Sequence, residues 1–293
     1  MSSSKLSIAT AAANDAYQKT LARIERIKSH LKQSPRCGRL RDKVCIITGV
    51  GSLKGIGHAS ALLFAHEGAK HLYLLDFDGS NLPDLKQKIT ITYPDVEVTI
   101  VQGDAADEDA IANLCKQAFD EEGKLDVYFA NAGVASASQL ADLSGDAFMK
   151  IMKVNTLSVF LAIKHASAMM AIPNPSKGKP ESGGSIIMTA SVAGLRSGAG
   201  GIDYSASKAA VNSMAQTAAY QLNKSNIRVN SICPGLIETG MSEYTFSTAR
   251  QRGTAYKIGQ LNPLGRYGIP EEVAQLALFL ASGEHFASPP CFS

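Results

Sequence analysis

KVCIITGVGSLKGIGHASALLFAHEG, residues 43 to 68, is the stretch from which the fold can be read. It begins with KVCIIT, a short β-branched run without polar alternation, the pattern of a parallel strand buried on both faces. A glycine-rich turn from Gly49 to Gly57 follows at once, and the helical pattern ASALLFAHEG follows the turn. In that order the glycines have a mechanism. Lacking Cβ atoms, they let the backbone approach a pyrophosphate, which then sits at the positive end of the helix. Gly49, Gly55, Ile56 and Gly57 are the candidate contacts. The order predicts an α/β protein, a doubly wound parallel sheet with helices on both faces.

The same rhythm continues downstream. HLYLLDFD (71 to 78), VEVTIVQGD (96 to 104), LDVYFANAG (125 to 133), SIIMTAS (185 to 191) and IRVNSICPG (227 to 235) read as strands separated by helical segments. Asp76 ends the first of these, the second strand of the chain, about 20 residues beyond the glycine turn, where a carboxylate accepts ribose hydroxyls and repels a 2′-phosphate. Asp76 also reads as a strand-end turn former beside Asp78 and Gly79. The run from Phe148 to Met170 reads as one long helix with Asn155 inside it, a polar residue that competes for backbone hydrogen bonds. IPNPSKGKPESGG, residues 172 to 184, is a surface loop by composition.

Tyr204 and Lys208, in YSASK, stand four residues apart, so a helix puts them on one face. A phenol titrates near 10, and an ammonium beside it is expected to favour the phenolate and lower that pKa. Ser191, thirteen residues before Tyr204, adds a hydroxyl able to hold a carbonyl or alcohol oxygen.

Ser…YSASK, with the glycine turn, Asn131-Ala132-Gly133, NTLSVF, PGLIET and PLGRYGIPEEVAQLALFLAS in order, resembles the short-chain dehydrogenase/reductase family. The likeness covers roughly residues 42 to 282. It implies a Rossmann fold and an NAD(P)-dependent oxidoreductase that moves a hydride between a nicotinamide cofactor and a secondary alcohol or carbonyl. It implies Ser191, Tyr204, Lys208 and Asn155 as catalytic residues, Asn155 kinking its helix and holding a water near the lysine. It implies cofactor contacts at Asn131, Ile237 and Thr239, at Tyr204 and Lys208, and at Asp104 to the adenine amine. Asp104 serves equally as a cap for the next helix. The segment from Gly240 to about Leu261 matches the family's variable substrate lid. A homodimer or homotetramer is the implied assembly.

Three departures stand out. Five residues, not the family's three, separate Gly49 from the GxG pair, an extension whose entropy cost is small. Lys54, just before that pair, sits where NADP-using relatives often place a base, yet Asp76 favours NAD over NADP. The chain also ends in GEHFASPPCFS without the usual last strand, and Pro289 and Pro290 cannot donate to a ladder. The rival expectation is a non-catalytic Rossmann-fold binding protein or an inactive truncated member.

Residues 1–41 read as a helical extension, 42–282 as the NAD(P)-binding catalytic domain and 283–293 as a tail. In the extension Tyr17, Leu21, Ile24, Ile27 and Leu31 recur at helical spacing, a stripe that needs a partner in the domain, in a second subunit, or none if it stays mobile. The 293 residues carry a formal net charge of +3 with scattered basic residues, which argues against nucleic acid and anionic membranes. No apolar run is long enough to span a bilayer. Five widely spaced cysteines without a CxxC pair predict free thiols in a reducing, cytoplasmic setting and no metal site.

Overall fold

The computed structural model describes residues 3–136, 138–260, 262–283 and 291–292. A long helix, α1 (Ser3–Lys32), precedes β1 (Val44–Thr48), α2 (Ile56–His66), β2 (His71–Asp76), α3 (Leu82–Thr92), β3 (Glu97–Gln102), α4 (Glu108–Glu122) and β4 (Val127–Ala130). The second half runs α5 (Gly145–Met152), α6 (Ser158–Met170), β5 (Gly184–Thr189), α7 (Ile202–Gln221), β6 (Ile227–Ile232), α8 (Glu243–Gln251), α9 (Pro270–Ala281) and β7 (Cys291–Phe292).

The strands form one sheet in the order β3-β2-β1-β4-β5-β6-β7, every pairing parallel. The chain winds outward from β1 to β3 and then restarts on the other side of β1 with β4. That reversal opens a crevice beyond the carboxyl ends of β1 and β4. Successive side chains in a strand face opposite ways. Ile46 and Tyr128, paired in register, enter the core under α4, α6 and α7, while Ile47 and Phe129 enter the core under α2, α3 and α9. The sheet is therefore covered on both faces, as the unbroken apolar strands require.

Four details refine the sequence reading. The run expected as one helix from Phe148 to Met170 is two helices, α5 and α6, joined by a π-helical turn at Lys153–Leu157 that contains Asn155. The loop expected to stay on the surface is partly docked. Asn174 Nδ2 donates to Gly123 O at 2.9 Å, and the buried Lys179 Nζ donates to Leu125 O at 2.8 Å. Where the sequence reading expected no last strand, Cys291 and Phe292, among the described residues, pair with Ser231 and Ile232 as a short seventh strand at the sheet edge. Pro289, Pro290 and most of the expected 283–293 tail lie outside the described residues, as does Leu261. Finally, the stripe on α1 has its partner within the chain: Ile24 is buried with Phe246, Tyr267 and Ile269, and Ile27 packs against them.

Candidate active site

The crevice at the sheet's carboxyl edge is a cleft of about 750 Å³. One end is lined by Gly49, Gly51 and Gly55 with Asp76, and the other by Ser191, Tyr204 and Lys208. β5 ends just before Ser191, and the first turn of α7 carries Tyr204, so strand and helix meet with these side chains on the same side.

Lys208 is 3 % exposed; its Nζ donates to Thr189 O at 2.8 Å and lies 5.7 Å from the centroid of the Tyr204 ring. Burial draws the lysine down to about 8. Burial also raises the Tyr204 phenol, and a hydrogen bond with Ser191 offsets part of that rise. The direction is opposite to the one expected from a neighbouring ammonium: loss of solvent raises the phenol, and what offsets part of the rise is the Ser191 hydroxyl, not the lysine. Tyr204 is therefore held as the protonated phenol. Ser191 Oγ accepts from Ala193 N at 3.1 Å, which fixes the hydroxyl at the start of a short 3-10 turn.

Asn155 is fully buried, not solvent-facing. Its Oδ1 accepts from Val134 N at 2.8 Å, and its Nδ2 donates to Val134 O at 3.0 Å and to Ser207 Oγ at 3.1 Å. The π turn aims it at the loop after β4 and at α7 together, a placement in keeping with the functional bias of such turns. Gly133 separates Asn155 from Lys208: a Cβ there would lie 3.2 Å from Asn155 Oδ1 and 3.3 Å from Lys208 Nζ.

The glycine turn presents bare backbone to the cleft. Gly55 is the N-cap of α2, and no side chain caps the helix. Its first N–H groups thus lack intrahelical partners and face the cleft end where an anion is favoured. The residues present fit a pyrophosphate. Gly49 has φ +75°, and a Cβ on it would stand 2.7 Å from Ala132 Cα. Gly57 does not line the cleft; a Cβ on it would stand 2.2 Å from Gly49 O, so its role is close packing of α2 on the turn. Ile56 lines the cleft beside Gly55.

The two-residue extension folds toward β2. Gly51 N donates to Asp76 Oδ2 at 2.7 Å and Asn81 Nδ2 donates to Gly51 O at 2.8 Å. Asp76 Oδ1 accepts from Asp78 N at 3.0 Å, so the carboxylate is also the turn former the sequence allowed for. Each of its oxygens keeps a further acceptor site. Lys54 points away from this carboxylate and pairs with Glu243 at 2.9 Å.

Asn131 lines the cleft, but its amide is spent on the sheet edge, donating to Thr48 O and Gly49 O and accepting from Thr189 Oγ1. Ile237 and Thr239 line the opposite wall. Asp104 is not among the lining residues, and it is not the helix cap either. Asp107 caps α4, and Asp104 accepts from Ala106 N and pairs with Lys153 at 3.5 Å. Sequence reasoning passed over Asp203, fully buried, whose Oδ1 accepts from Tyr204 N at 2.8 Å and from Ser136 Oγ. Its position next to Tyr204 was the available signal. Gly51, Thr189 and Ser207 were likewise missed, because their roles depend on partners far away in sequence.

Among the described residues, His71, Glu97 and Glu122 form the one His and carboxylate group with ligand atoms close enough for a metal. They lie at the far end of β2 from the cleft and are already paired: His71 with Glu122 at 2.8 Å and Thr99 at 2.9 Å, and Glu122 with Lys70 at 2.6 Å.

A sequence profile described as enoyl-(acyl carrier protein) reductase matches residues 49–287. The 3-oxoacyl-(acyl-carrier-protein) reductase FabG of Thermotoga maritima is 37 % identical over 246 residues, which are 84 % of this chain and 93 % of that one. Levodione reductase of Leifsonia aquatica is 31 % identical over 250 residues, 84 % of this chain and 90 % of that one. A crystal structure of levodione reductase superposes with a TM-score of 0.76 at 30 % identity, covering 86 % of this chain and 95 % of that one. No helix among the described residues is long and apolar enough to cross a membrane.

Proposed function

The chain belongs to the short-chain dehydrogenase/reductase family, a family of oxidoreductases, and from that premise we propose that it interconverts a carbonyl and a secondary alcohol with a nicotinamide dinucleotide. The observation that carries this reading is the convergence of Ser191, Tyr204 and Lys208 at one end of the cleft whose other end is the bare glycine turn.

The dinucleotide, when bound, supplies the hydride chemistry, and the protein supplies position and electrostatics. Gly49, Gly51, Gly55 and Ile56 would hold its pyrophosphate, and Ile237 and Thr239 its nicotinamide end. Ser191 holds the substrate oxygen by a hydrogen bond. Tyr204, kept as a phenol, gives its proton to that oxygen as it becomes an alcohol, and takes one back in the reverse direction. Lys208 stabilises the phenolate so formed, because a charge that develops in a water-poor site is worth more than one in solvent. Asn155 holds the Val134 loop and α7 at a set distance.

For the cofactor we favour NAD. Asp76 lines the cleft with acceptor sites to spare for ribose hydroxyls, and Lys54, the base that would meet a 2′-phosphate, is engaged by Glu243. The substrate class we favour is a small alcohol or ketone, and the setting a cytoplasmic homodimer or homotetramer, with the exposed Met149, Leu157 and Phe160 as the apolar face a second copy would cover.

The test is a titration with NADH and, separately, NADPH, following nicotinamide fluorescence and thermal unfolding. Saturable binding that adds about 2.7 kcal/mol of stability at a hundred times Kd supports the reading. Tighter binding of NADH, reversed or abolished in Asp76→Ala, supports the cofactor choice; tighter binding of NADPH by the unaltered protein overturns it. A folded sample that binds neither leaves the non-catalytic reading in its place.

A further inference from the structure

Two parts of this chain depart from the family pattern, the extension ahead of the core and the lengthened glycine turn, and both converge on α8. We propose that Arg250 is a positioning group for the cleft: lying over Phe246, which packs on Ile24 of α1, and paired with Glu238, it ties α1 as a brace to α8 and to the cleft-lining segment Ile237–Thr239. The proposal rests on the dinucleotide reading above for its effect on affinity.

The connections are specific. Arg250, in the last turn of α8, forms an ion pair with Glu238, and Glu238 stands between Ile237 and Thr239, both of which line the cleft. The Glu238 carboxylate, and after it the Tyr17 hydroxyl on α1, hold the Arg250 guanidinium firmly charged. Burial, and after it the charge of the same Glu238, raise the Tyr267 phenol. Beneath this polar chain lies an apolar one. Phe246 of α8 meets Tyr267 edge-on, centroids 4.8 Å apart at 81°, with Ile24 of α1 buried against them. The Arg250 guanidinium lies 5.6 Å from the Phe246 ring centroid. Farther along, Arg23 of α1 donates to Leu264 O at 3.4 Å.

The two ends of α8 are held unequally. At its start, Glu243 meets Lys54 of the glycine turn with side chains 44 % and 63 % exposed, a contact that solvent and salt weaken. At its other end the Arg250–Glu238 pair is itself 42 % and 21 % exposed, and what holds this end is the buried packing of Phe246, Tyr267 and Ile24 beneath it. Movement of the wall at Met241 and Ser242 is thus hinged on the α1 end, and the brace sets where that hinge stands.

The experiment uses the full chain and three variants, Arg250→Ala, Arg250→Lys and Tyr17→Phe, below their melting temperatures. Two quantities are read: the Kd for NADH by nicotinamide fluorescence, and hydrogen exchange of amides 236–251 in the ligand-free proteins. The expected result for Arg250→Ala is a roughly tenfold weaker Kd with faster exchange confined to residues 236–251. Arg250→Lys recovers part of the affinity, since it keeps the charge and loses the fork. Tyr17→Phe, which preserves packing, gives a smaller change in the same direction. Unchanged exchange across residues 236–251 in all three variants overturns the brace, whether or not the unaltered protein binds NADH. Faster exchange with an unchanged Kd overturns the positioning role. If the unaltered protein binds neither dinucleotide, it is the dinucleotide reading that falls, and the exchange arm still decides the brace.

Discussion

Tyr204 and Lys208 sit in a place that penalises charge on either of them, and each shift has a consequence that can be measured. Tyr204→Phe removes the one phenol among the described residues that line the cleft and keeps the ring, so turnover is expected to fall by roughly 10²- to 10⁴-fold while NADH affinity stays within about a factor of two. Steady-state rates and fluorescence titration on the same sample check this; unchanged turnover would sink the mechanism. Lys208 has a native pKa of about 8 against 10.5 for the ordinary side chain. Below about 8 the buried ammonium is charged in both states and weakens the fold. From there up to the ordinary lysine range the native protein has released a proton that the unfolded chain still holds. Stability from this group therefore rises with pH across that window. Thermal melts of the wild type and Lys208→Met from pH 7 to 10 are expected to show the wild type gaining on the variant. A constant difference would return Lys208 to its ordinary value.

At the scale of elements, the active site depends on joints more than on the helices themselves. The π turn between α5 and α6 turns Asn155 inward, where one side chain satisfies both backbone groups of Val134 and reaches Ser207 on α7. Asn155→Ala leaves a buried N–H and C=O without partners, a loss of about 1–3 kcal/mol. The denaturation midpoint is expected to drop with an unchanged m-value, and catalysis is expected to fall with it even in fully folded samples, because Val134 lines the cleft. A variant as stable as the parent would mean that water replaces the amide there. The glycine turn is a second joint: its extension reaches Asp76 through Gly51 and Glu243 through Lys54, tying β2 and α8 to the start of α2.

For the whole molecule, one sheet carries two separate cores, and that separation is testable. Leu74 is buried under α2 and α3, and Leu161 lies on the opposite face with α4 and α7. Each Leu→Ala change is expected to cost about 2–5 kcal/mol, and the double variant about their sum to within roughly 0.5 kcal/mol. Chemical denaturation of the four proteins checks it, and a strong departure from additivity would mean that the sheet transmits strain between its faces. The sequence by itself determined the first six strands of the sheet, the order of their elements, and the glycine turn, Asp76, Ser191, Tyr204 and Lys208 as cleft residues. Strand runs, the strand–glycine–helix order and the Tyr204 to Lys208 spacing are local patterns, set by backbone periods and by the absence of Cβ atoms. It also marked the inward stripe of α1 residue by residue, since helical period alone defines a face. The tertiary structure alone decided that this stripe rests against Phe246 and Tyr267, that Asp104 lies off the cleft, and that Asp203 is buried beside Tyr204. It alone decided that Tyr204 titrates high instead of low. Those outcomes come from desolvation and from contacts between residues far apart in the chain, and neither has a period that a sequence can display.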